Sequence, residues 1–195
     1  MRIDEERKQG TPVIDLGTPS GVFEGERAMT VQSYVEANSK LGVQHEGSVL
    51  LQGVAAGASN DTIFLTGALP VSLKGRIINF DGTGVKGEVY TGATYTGGTV
   101  AEYQNASDIN PVAGLTQIIV GATITADGDL AFAPTYSFGN DSNQGKGGIQ
   151  STLGGEKLLK PNTAYLLRLT SLDTAAQNIS SFLTWYEGEL DLPRP

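Results

Sequence analysis

The stretch that decides the fold is residues 160–187, KPNTAYLLRLTSLDTAAQNISSFLTWYE. Two apolar runs of β-forming residues flank a polar segment, 171–177, which lacks the apolar spacing of a helix. Because strand side chains alternate between two faces, each run places apolar residues on both faces. This pattern predicts central strands that are covered on both sides, or covered on the outside by another subunit.

We predict that these two strands form a hairpin that anchors the core, because they hold the only tryptophan and the densest apolar content. The first run has Tyr165, Leu167 and Leu169 on one face. In the second run Leu183 and Trp185 share a face, and Phe182 and Tyr186 share the opposite one. The predicted core or subunit-interface anchor therefore consists of Tyr165, Leu167, Leu169, Phe182, Leu183, Trp185 and Tyr186.

Short apolar runs also precede this stretch, separated by Gly, Asn and Asp clusters in a chain with 26 glycines and 17% charged residues. This pattern is typical of an all-β protein with antiparallel pairing. We predict a two-sheet, jelly-roll-like sandwich of eight or nine strands over residues 48–195, with a polar surface loop at 139–155. The other predicted strands are 48–54, 62–66, 71–80, 85–91, 99–103, 116–125 and 130–138.

Residues 1–47 differ from the rest of the chain. They begin with a mixed charge run and continue with Pro and Gly between sparse apolar residues, and a short helix is predicted within 26–40. Two interpretations stay open for this region, a flexible leader and an extended N-terminal arm. In the second, the arm docks on a partner surface through Val13, Ile14, Leu16, Val22 and Phe23.

Composition narrows the function classes. A net charge of −8 argues against nucleic-acid binding, which relies on Lys and Arg neutralising phosphates. With no cysteine and one histidine, thiolate and His-cluster metal sites are excluded. The N-terminus lacks an apolar signal region, and no apolar stretch is long enough to span a bilayer, so synthesis in the cytoplasm and no membrane partner are expected.

No motif predicts a catalytic, cofactor or metal site. Asp127-Gly128-Asp129 is interpreted as a hairpin turn, because a calcium loop needs further oxygen ligands at set spacing. Residues 140–145 have residue types of a calcium loop, but the glycine falls one place early. Residues 145–148 depart from the phosphate-loop pattern, with glycine in place of the hydroxyl residue.

Three further sets of residues have competing interpretations. His45 is interpreted as a surface or packing residue, since a triad needs geometry that a sequence does not supply. Four tyrosines could form a sugar-stacking platform, although packing is favoured. Arg76 and Arg168 interrupt apolar strands, so each is expected to meet a carboxylate or lie at a subunit boundary. The tyrosines are Tyr90, Tyr95, Tyr103 and Tyr136.

The chain resembles head decoration (capsid cement) proteins of tailed bacteriophages. The resemblance rests on residues 74–99, on TITADGDL at 123–130, on SFGNDSNQG at 137–145, and above all on LKPNTAYLLR at 159–168 with the later NIS and WYE. It covers about the last two thirds of the chain and excludes the arm.

The resemblance implies a non-enzymatic virion protein with no cofactor. Its expected partners are the major capsid protein and further copies of itself, as a homotrimer, on the outer capsid surface, where the arm would bind the shell. The alternative is a head-fibre or tail-associated module that binds a receptor or glycan, which a tyrosine-lined groove would favour.

Overall fold

The computed structural model describes residues 38–139, 148–151 and 157–188. These ranges contain fourteen strands, and the pairings between them are antiparallel. The strands are β1 (Gln44–Val54), β2 (Ser59–Leu65), β3 (Val71–Phe80), β4 (Gly84–Thr91), β5 (Thr94–Thr96), β6 (Thr99–Ala101), β7 (Gln104–Asn105), β8 (Gln117–Val120), β9 (Thr123–Ala126), β10 (Asp129–Phe138), β11 (Gly148–Ser151), β12 (Lys157–Leu159), β13 (Ala164–Ser171) and β14 (Gln177–Glu187).

Two six-stranded sheets form a sandwich with jelly-roll order. The first sheet runs β11-β3-β14-β1-β7, with β12 also pairing with β3, and the second runs β10-β4-β13-β2-β8-β6. The chain changes sheet between β1 and β2, between β3 and β4, and between β13 and β14, which is how a jelly roll distributes its strands. The predicted all-β, antiparallel, jelly-roll-like sandwich is therefore confirmed.

The predicted C-terminal hairpin is wrong. β13 pairs with β2 and β4 in the second sheet, whereas β14 pairs with β1 and β3 in the first, so segment 172–176 crosses between sheets. Side chains hold this crossing: Asp173 accepts a hydrogen bond from the Thr83 N–H (2.9 Å), and Gln177 donates to the Gly84 carbonyl (2.8 Å). Both strands are central in their own sheets, which is why both carry apolar residues on two faces.

Other sequence expectations also need correction. The predicted strand 116–125 divides at Gly121, whose φ of 67° takes the left-handed conformation that glycine tolerates, giving β8 in the second sheet and β9 in a separate ribbon with β5. The predicted loop 139–155 contains β11, which pairs with β3. β1 begins at Gln44, inside the segment assigned to the arm, and residues 38–40 are helical.

Buried apolar residues form three clusters. Two lie between the sheets, one around Trp185 and Phe64 and one around Ile78 and Ile179. The third lies on the outer face of the second sheet, where the β5–β9 ribbon packs against β13 and its neighbours. Its members are Ile63, Ala93, Ile119 and Leu166, joined by Tyr95 and Ile124 of the ribbon. The second sheet is thus covered on both faces by this chain.

Candidate functional site

The predicted anchor residues divide between the interior and one outer face. Tyr165, Leu167, Leu169, Leu183 and Trp185 are buried in the core. Phe182 and Tyr186, at the alternate positions of β14, are only half-buried and lie on the outer face of the first sheet. The predicted anchor residues therefore form two sets, five in the core and two on the outer face of the first sheet.

Trp185 is at the centre of an aromatic cluster inside the sandwich and is completely buried. Its ring meets those of Tyr103 and Phe64 edge to face, with centroid distances of 5.0 Å and 5.3 Å. The imidazole of His45 lies 5.7 Å from the Trp185 ring and 5.6 Å from Tyr103. His45 is thus a packing residue of the interior, one of the two roles that the sequence favoured.

Glu187 links this cluster to a loop at the end of the sandwich. Its Oε1 accepts hydrogen bonds from Trp185 Nε1 and from the Thr116 N–H, both at 3.0 Å. Its Oε2 accepts a third from the Leu115 N–H at 2.6 Å. A carboxylate with this many charge-assisted hydrogen bonds is fixed in position, and it fixes the loop that supplies the donors.

The same contacts set the charge states in the cluster. Burial alone would raise the pKa of Glu187, but the hydrogen bonds from Leu115, Trp185 and Thr116 outweigh it and lower the pKa below its ordinary value. Burial lowers the pKa of His45, against the opposing charge of Glu187. Burial raises the pKa of Tyr103, and the Glu187 charge adds to this. Near neutral pH the cluster holds an ionised Glu187 and a neutral His45 and Tyr103.

Chemically, this arrangement stabilises structure. The Glu187 oxygens are engaged by three donors, and within the described part of the chain His45 Nδ1 is buried without a hydrogen-bond partner. A general base needs a free lone pair that its substrate can reach. The Glu187 oxygens are already engaged, and His45 is buried in the interior. The cluster holds the loop against the sheet and the tryptophan in place.

Arg168 forms an ion cluster on the outer face of the second sheet. Its guanidinium binds Asp61 through Nε (2.8 Å) and Nη2 (2.9 Å), and binds Asp127 through Nη1 (2.6 Å) and Nη2 (2.9 Å). Hydrogen bonds from Asp61 and then Asp127 raise the pKa of Arg168, and the guanidinium lowers that of Asp127. The expectation that Arg168 meets a carboxylate is confirmed.

The sequence suggested that Asp127 lies in a hairpin turn, and this prediction is wrong. It connects β9 of the ribbon to β10 of the second sheet, two strands that pair with different partners. Gly128 takes φ 81°, and a Cβ there would clash with the Thr91 carbonyl oxygen, so the connection requires glycine. The Arg168 contact therefore holds the ribbon on the sheet.

Among the described residues, Arg76 meets a neutral hydroxyl and not a carboxylate, so of the two roles that the sequence left open, a carboxylate contact or a subunit boundary, the first is not found there. Its Nε donates to Ser181 Oγ at 3.1 Å, and burial lowers the pKa of Arg76 to about 10. Arg76 pairs with Leu183 across β3 and β14, so it shares the inward face of the first sheet.

The outer face of the first sheet is a candidate interaction surface. Leu50 of β1 is 61% exposed, and Phe182 and Ile77 lie opposite one another on β14 and β3, each partly exposed. The neighbouring outward positions carry small polar side chains, namely Ser48, Asn79, Ser180 and Thr184, and one charged residue, Glu46, opposite Thr184. Depletion of charge around apolar and aromatic residues is the compositional signal of a protein interface core.

The four tyrosines do not form one platform. Tyr103 packs on Trp185 in the interior, and Tyr95 lies in the ribbon against the third cluster. Tyr90 and Tyr136 lie on the outer face of the second sheet, where Tyr136 is exposed beside its strand partner Lys86. Tyr90 lies 5.6 Å from the Arg168 guanidinium in a cation–π contact.

Some predicted features lie outside the described residues. These are the arm residues Val13, Ile14, Leu16, Val22 and Phe23, and the candidate loop 140–145. In the part of the chain that the structure describes, no three His, Asp or Glu side chains are grouped so that they could hold a metal ion. Over the same ranges, no helix combines the length and apolarity needed to cross a membrane.

Glu187 and Asp61 are the residues that reading the sequence missed. For Glu187 a signal existed: two residues after the inward Trp185, its side chain must also point inward. Two of its three hydrogen-bond donors, the Leu115 and Thr116 N–H groups, are 72 and 71 residues away, so no local pattern identifies them. Compared with known proteins, the chain matches no protein-family model, no curated protein and no solved structure.

Proposed function

We propose that this chain is a structural protein of a tailed-bacteriophage virion that binds the outer capsid surface and stabilises the shell. Its partners are the major capsid protein and further copies of itself, arranged as a homotrimer. It acts through binding alone, without a cofactor, on the assembled particle. The resemblance of residues 74–187 to decoration proteins supports this class.

The observation that carries the proposal is that the described residues cover the two sheets unequally. The second sheet has the β5–β9 ribbon on its outer face, where Leu166 is fully buried. The first sheet presents Leu50, Phe182 and Ile77 outward from its central strands. Apolar side chains that point outward from the middle of a sheet, with small polar residues as most of their neighbours, are favourably buried by another subunit, at about 25 cal/mol for each Å² removed from water.

The architecture is compatible with this role and with one other. Jelly rolls occur in viral capsid domains and in lectins, so the fold class alone does not choose between a shell protein and a glycan-binding module. A shell presents the same surface many times, and a trimer engages several copies at once. Repetition raises avidity well above the affinity of one contact, so modest apolar surfaces are sufficient.

Two measurements test the proposal: the mass of the purified chain in solution, and its co-sedimentation with shells that lack it. The shells are assembled from the major capsid protein encoded in the same genome. We expect a trimer that pellets with the shells. A monomer that stays in the supernatant at every concentration would overturn the proposal.

Deletion tests the shell-binding role of the arm, and the start of β1 determines how many residues can be removed. Removing residues 1–47 would take away Gln44 and His45, which are buried residues of β1. Removing residues 1–37 leaves every described strand intact. We expect this shorter deletion to keep the sandwich folded and to weaken pelleting with shells; unchanged pelleting would refute a shell-binding arm.

A glycan-binding module is the second candidate, favoured by one observation. Tyr136 is 56% exposed on the same outer face as Tyr90, with Lys86 beside it. An exposed aromatic ring next to hydrogen-bonding side chains suits stacking on a sugar ring. Binding to host cell-surface glycan that Tyr136→Ala abolishes, without pelleting on shells, would favour this function instead.

A further inference from the structure

The loop between β7 and β8 lies against the aromatic cluster of the interior. Gly114 of this loop is packed so closely that a Cβ there would clash with the Tyr103 hydroxyl and lie 3.0 Å from Glu187 Oε1. Thr116, where the loop meets β8, is buried. We call residues 113–116 the closing segment, because they lie between the cluster and solvent at this end of the sandwich.

The β7 end of the loop is held by neutral groups. Asn105 donates to the Gly42 carbonyl (2.6 Å) and to the Val112 carbonyl (2.9 Å), and it accepts from the Ser107 N–H (2.8 Å). The Val112 N–H donates to the Gly42 carbonyl at 3.0 Å. Amide groups do not titrate near neutral pH, so these contacts do not themselves depend on pH.

The closing segment is held by a carboxylate instead. Glu187 accepts from the Leu115 N–H at 2.6 Å and from the Thr116 N–H at 3.0 Å. Hydrogen bonds to an ionised group are roughly twice as strong as those between neutral groups. Because that strength depends on the negative charge, a proton on Glu187 weakens the attachment of the closing segment.

The closed position of the loop also leaves buried polar atoms without partners. Among the described residues, such atoms include Gln44 Oε1, His45 Nδ1 and Thr116 Oγ1, all at this end of the sandwich. The Gln44 carbonyl accepts from the Ala106 N–H at the start of the loop. A buried polar atom without a partner destabilises the state that contains it. Opening the closing segment admits water to these atoms, so the open position is favoured by them.

Two groups of the cluster bind protons more readily when the closing segment is open. Burial lowers the pKa of His45 below 6.5, against the charge of Glu187. Burial would raise the pKa of Glu187, but the hydrogen bonds from Leu115, Trp185 and Thr116 lower it below 4.5. Acid favours the state in which a group has the higher pKa. Both groups therefore shift the loop towards opening as the pH falls.

The surroundings of His45 contain few other charges. Among the described residues, Glu187 of β14 and Tyr103 are the titratable groups that meet it, and burial raises the pKa of Tyr103, which stays neutral. Asn105, the strand partner of His45 on β7, is neutral. The charged residues of the same segments lie on the outer face or are exposed, namely Glu46, Glu102 and Asp108.

We propose that the closing segment is a pH-sensitive switch: proton uptake by Glu187 and His45 detaches residues 113–116 from the interior, while Asn105 keeps the β7 end of the loop in place. Each group takes one proton from solvent, and no covalent bond changes. The sandwich stays folded, and the open form brings the aromatic cluster around Trp185 into contact with water. The switch would operate whatever surface the protein binds, so it does not rest on the proposed function.

The test is amide hydrogen exchange of the full chain, followed by nuclear magnetic resonance from about pH 7.5 to about pH 4 and expressed as protection relative to an unstructured chain at the same pH. We expect protection at Leu115 and Thr116 to fall at least about tenfold over this range. Protection at Ser107 and Val112, whose N–H groups are bonded at the β7 end, should change by less than about twofold.

Three variants assign the effect to its groups. In His45→Gln, the part of the fall that occurs between pH 6.5 and the folded-state pKa of His45 should disappear. In Glu187→Gln, Leu115 and Thr116 should be weakly protected at every pH. Glu102→Gln, at an exposed position, is the matched control and should reproduce the native profile. Circular dichroism at each pH establishes that the chains are folded.

Each contrary result overturns the switch. Constant protection at Leu115 and Thr116 across the pH range would show that their attachment does not respond to acid. An equal loss at Ser107, at Val112 and at the amides of β13 would show that acid unfolds the whole sandwich and not the closing segment. A native profile in both His45→Gln and Glu187→Gln would show that other groups take up the protons. If either variant fails to fold, the comparison among the amides of the native chain still decides.

Discussion

Replacing Glu187 by glutamine tests how the interior is linked to the loop between β7 and β8. The substitution keeps the size of the side chain and removes the charge and one acceptor oxygen. In the native chain, the carboxylate accepts from Trp185 Nε1, from the Thr116 N–H and from the Leu115 N–H. Glutamine has one oxygen, so at least one of these donors must face its NH₂ group.

The expected loss in the free energy of unfolding follows from these contacts. The least costly orientation keeps oxygen at the Oε1 position and leaves the Leu115 N–H without an acceptor, which costs about 1–3 kcal/mol. The two remaining hydrogen bonds each lose roughly 1 kcal/mol of charge assistance. A neutral amide is easier to bury than a carboxylate, which offsets part of this loss. We expect Glu187→Gln to lower the free energy of unfolding by about 2–3 kcal/mol.

The difference in stability between the native chain and Glu187→Gln should shrink as the pH falls. The pKa of Glu187 is lowered in the folded protein, so its contribution to stability is present above the ordinary value of 4.5 and is lost as the pH falls through the folded-state pKa. The native chain should therefore exceed the variant in stability near neutral pH. The two unfolding free energies should converge as the pH falls below 4.5.

Urea denaturation followed by far-ultraviolet circular dichroism measures both effects, with Glu102→Gln as the control. Glu102 is exposed, so the same change there should alter stability by no more than about 0.5 kcal/mol. Amide hydrogen exchange at Leu115 and Thr116 should also accelerate in Glu187→Gln. A stability loss equal to that of the control, or a difference that stays constant with pH, would refute the reasoning.

Three further predictions concern other contacts. Trp185→Ala should lower the free energy of unfolding by about 3–5 kcal/mol as a large-to-small core change, measured by urea denaturation; a loss below about 1 kcal/mol would contradict its burial. Arg168→Lys should cost about 1–2 kcal/mol, because an ammonium cannot maintain four hydrogen bonds to Asp61 and Asp127, and the loss should shrink at high salt. An equal loss at low and high salt would argue against an ionic origin. His45, the only histidine, should titrate by nuclear magnetic resonance with a midpoint below 6.5, because burial lowers its pKa; stability then falls as the pH drops below 6.5, and a midpoint at or above 6.5 would contradict the packing.

The amino-acid sequence by itself determined the class of fold and the position of most strands. Alternation along 71–80 and the turn residues after it predicted β3 with its observed bounds. Apolar residues on both faces of β13 and β14 predicted central strands, and both are flanked by two neighbours. The charge of Arg168 inside an apolar run indicated a carboxylate partner. These inferences depend on near neighbours in the chain, where spacing fixes which face a side chain occupies.

Only the tertiary structure decided which strands pair and which side chains meet. β13 and β14 are adjacent in sequence but lie in different sheets, because each is paired along both edges with strands far away in the chain. The ribbon that covers Leu166, and the Glu187 contacts with Leu115 and Thr116, likewise join distant segments. An antiparallel ladder accepts any strand with a suitable face, so local pattern does not specify its partner. Partner choice is settled by simultaneous packing of the whole chain.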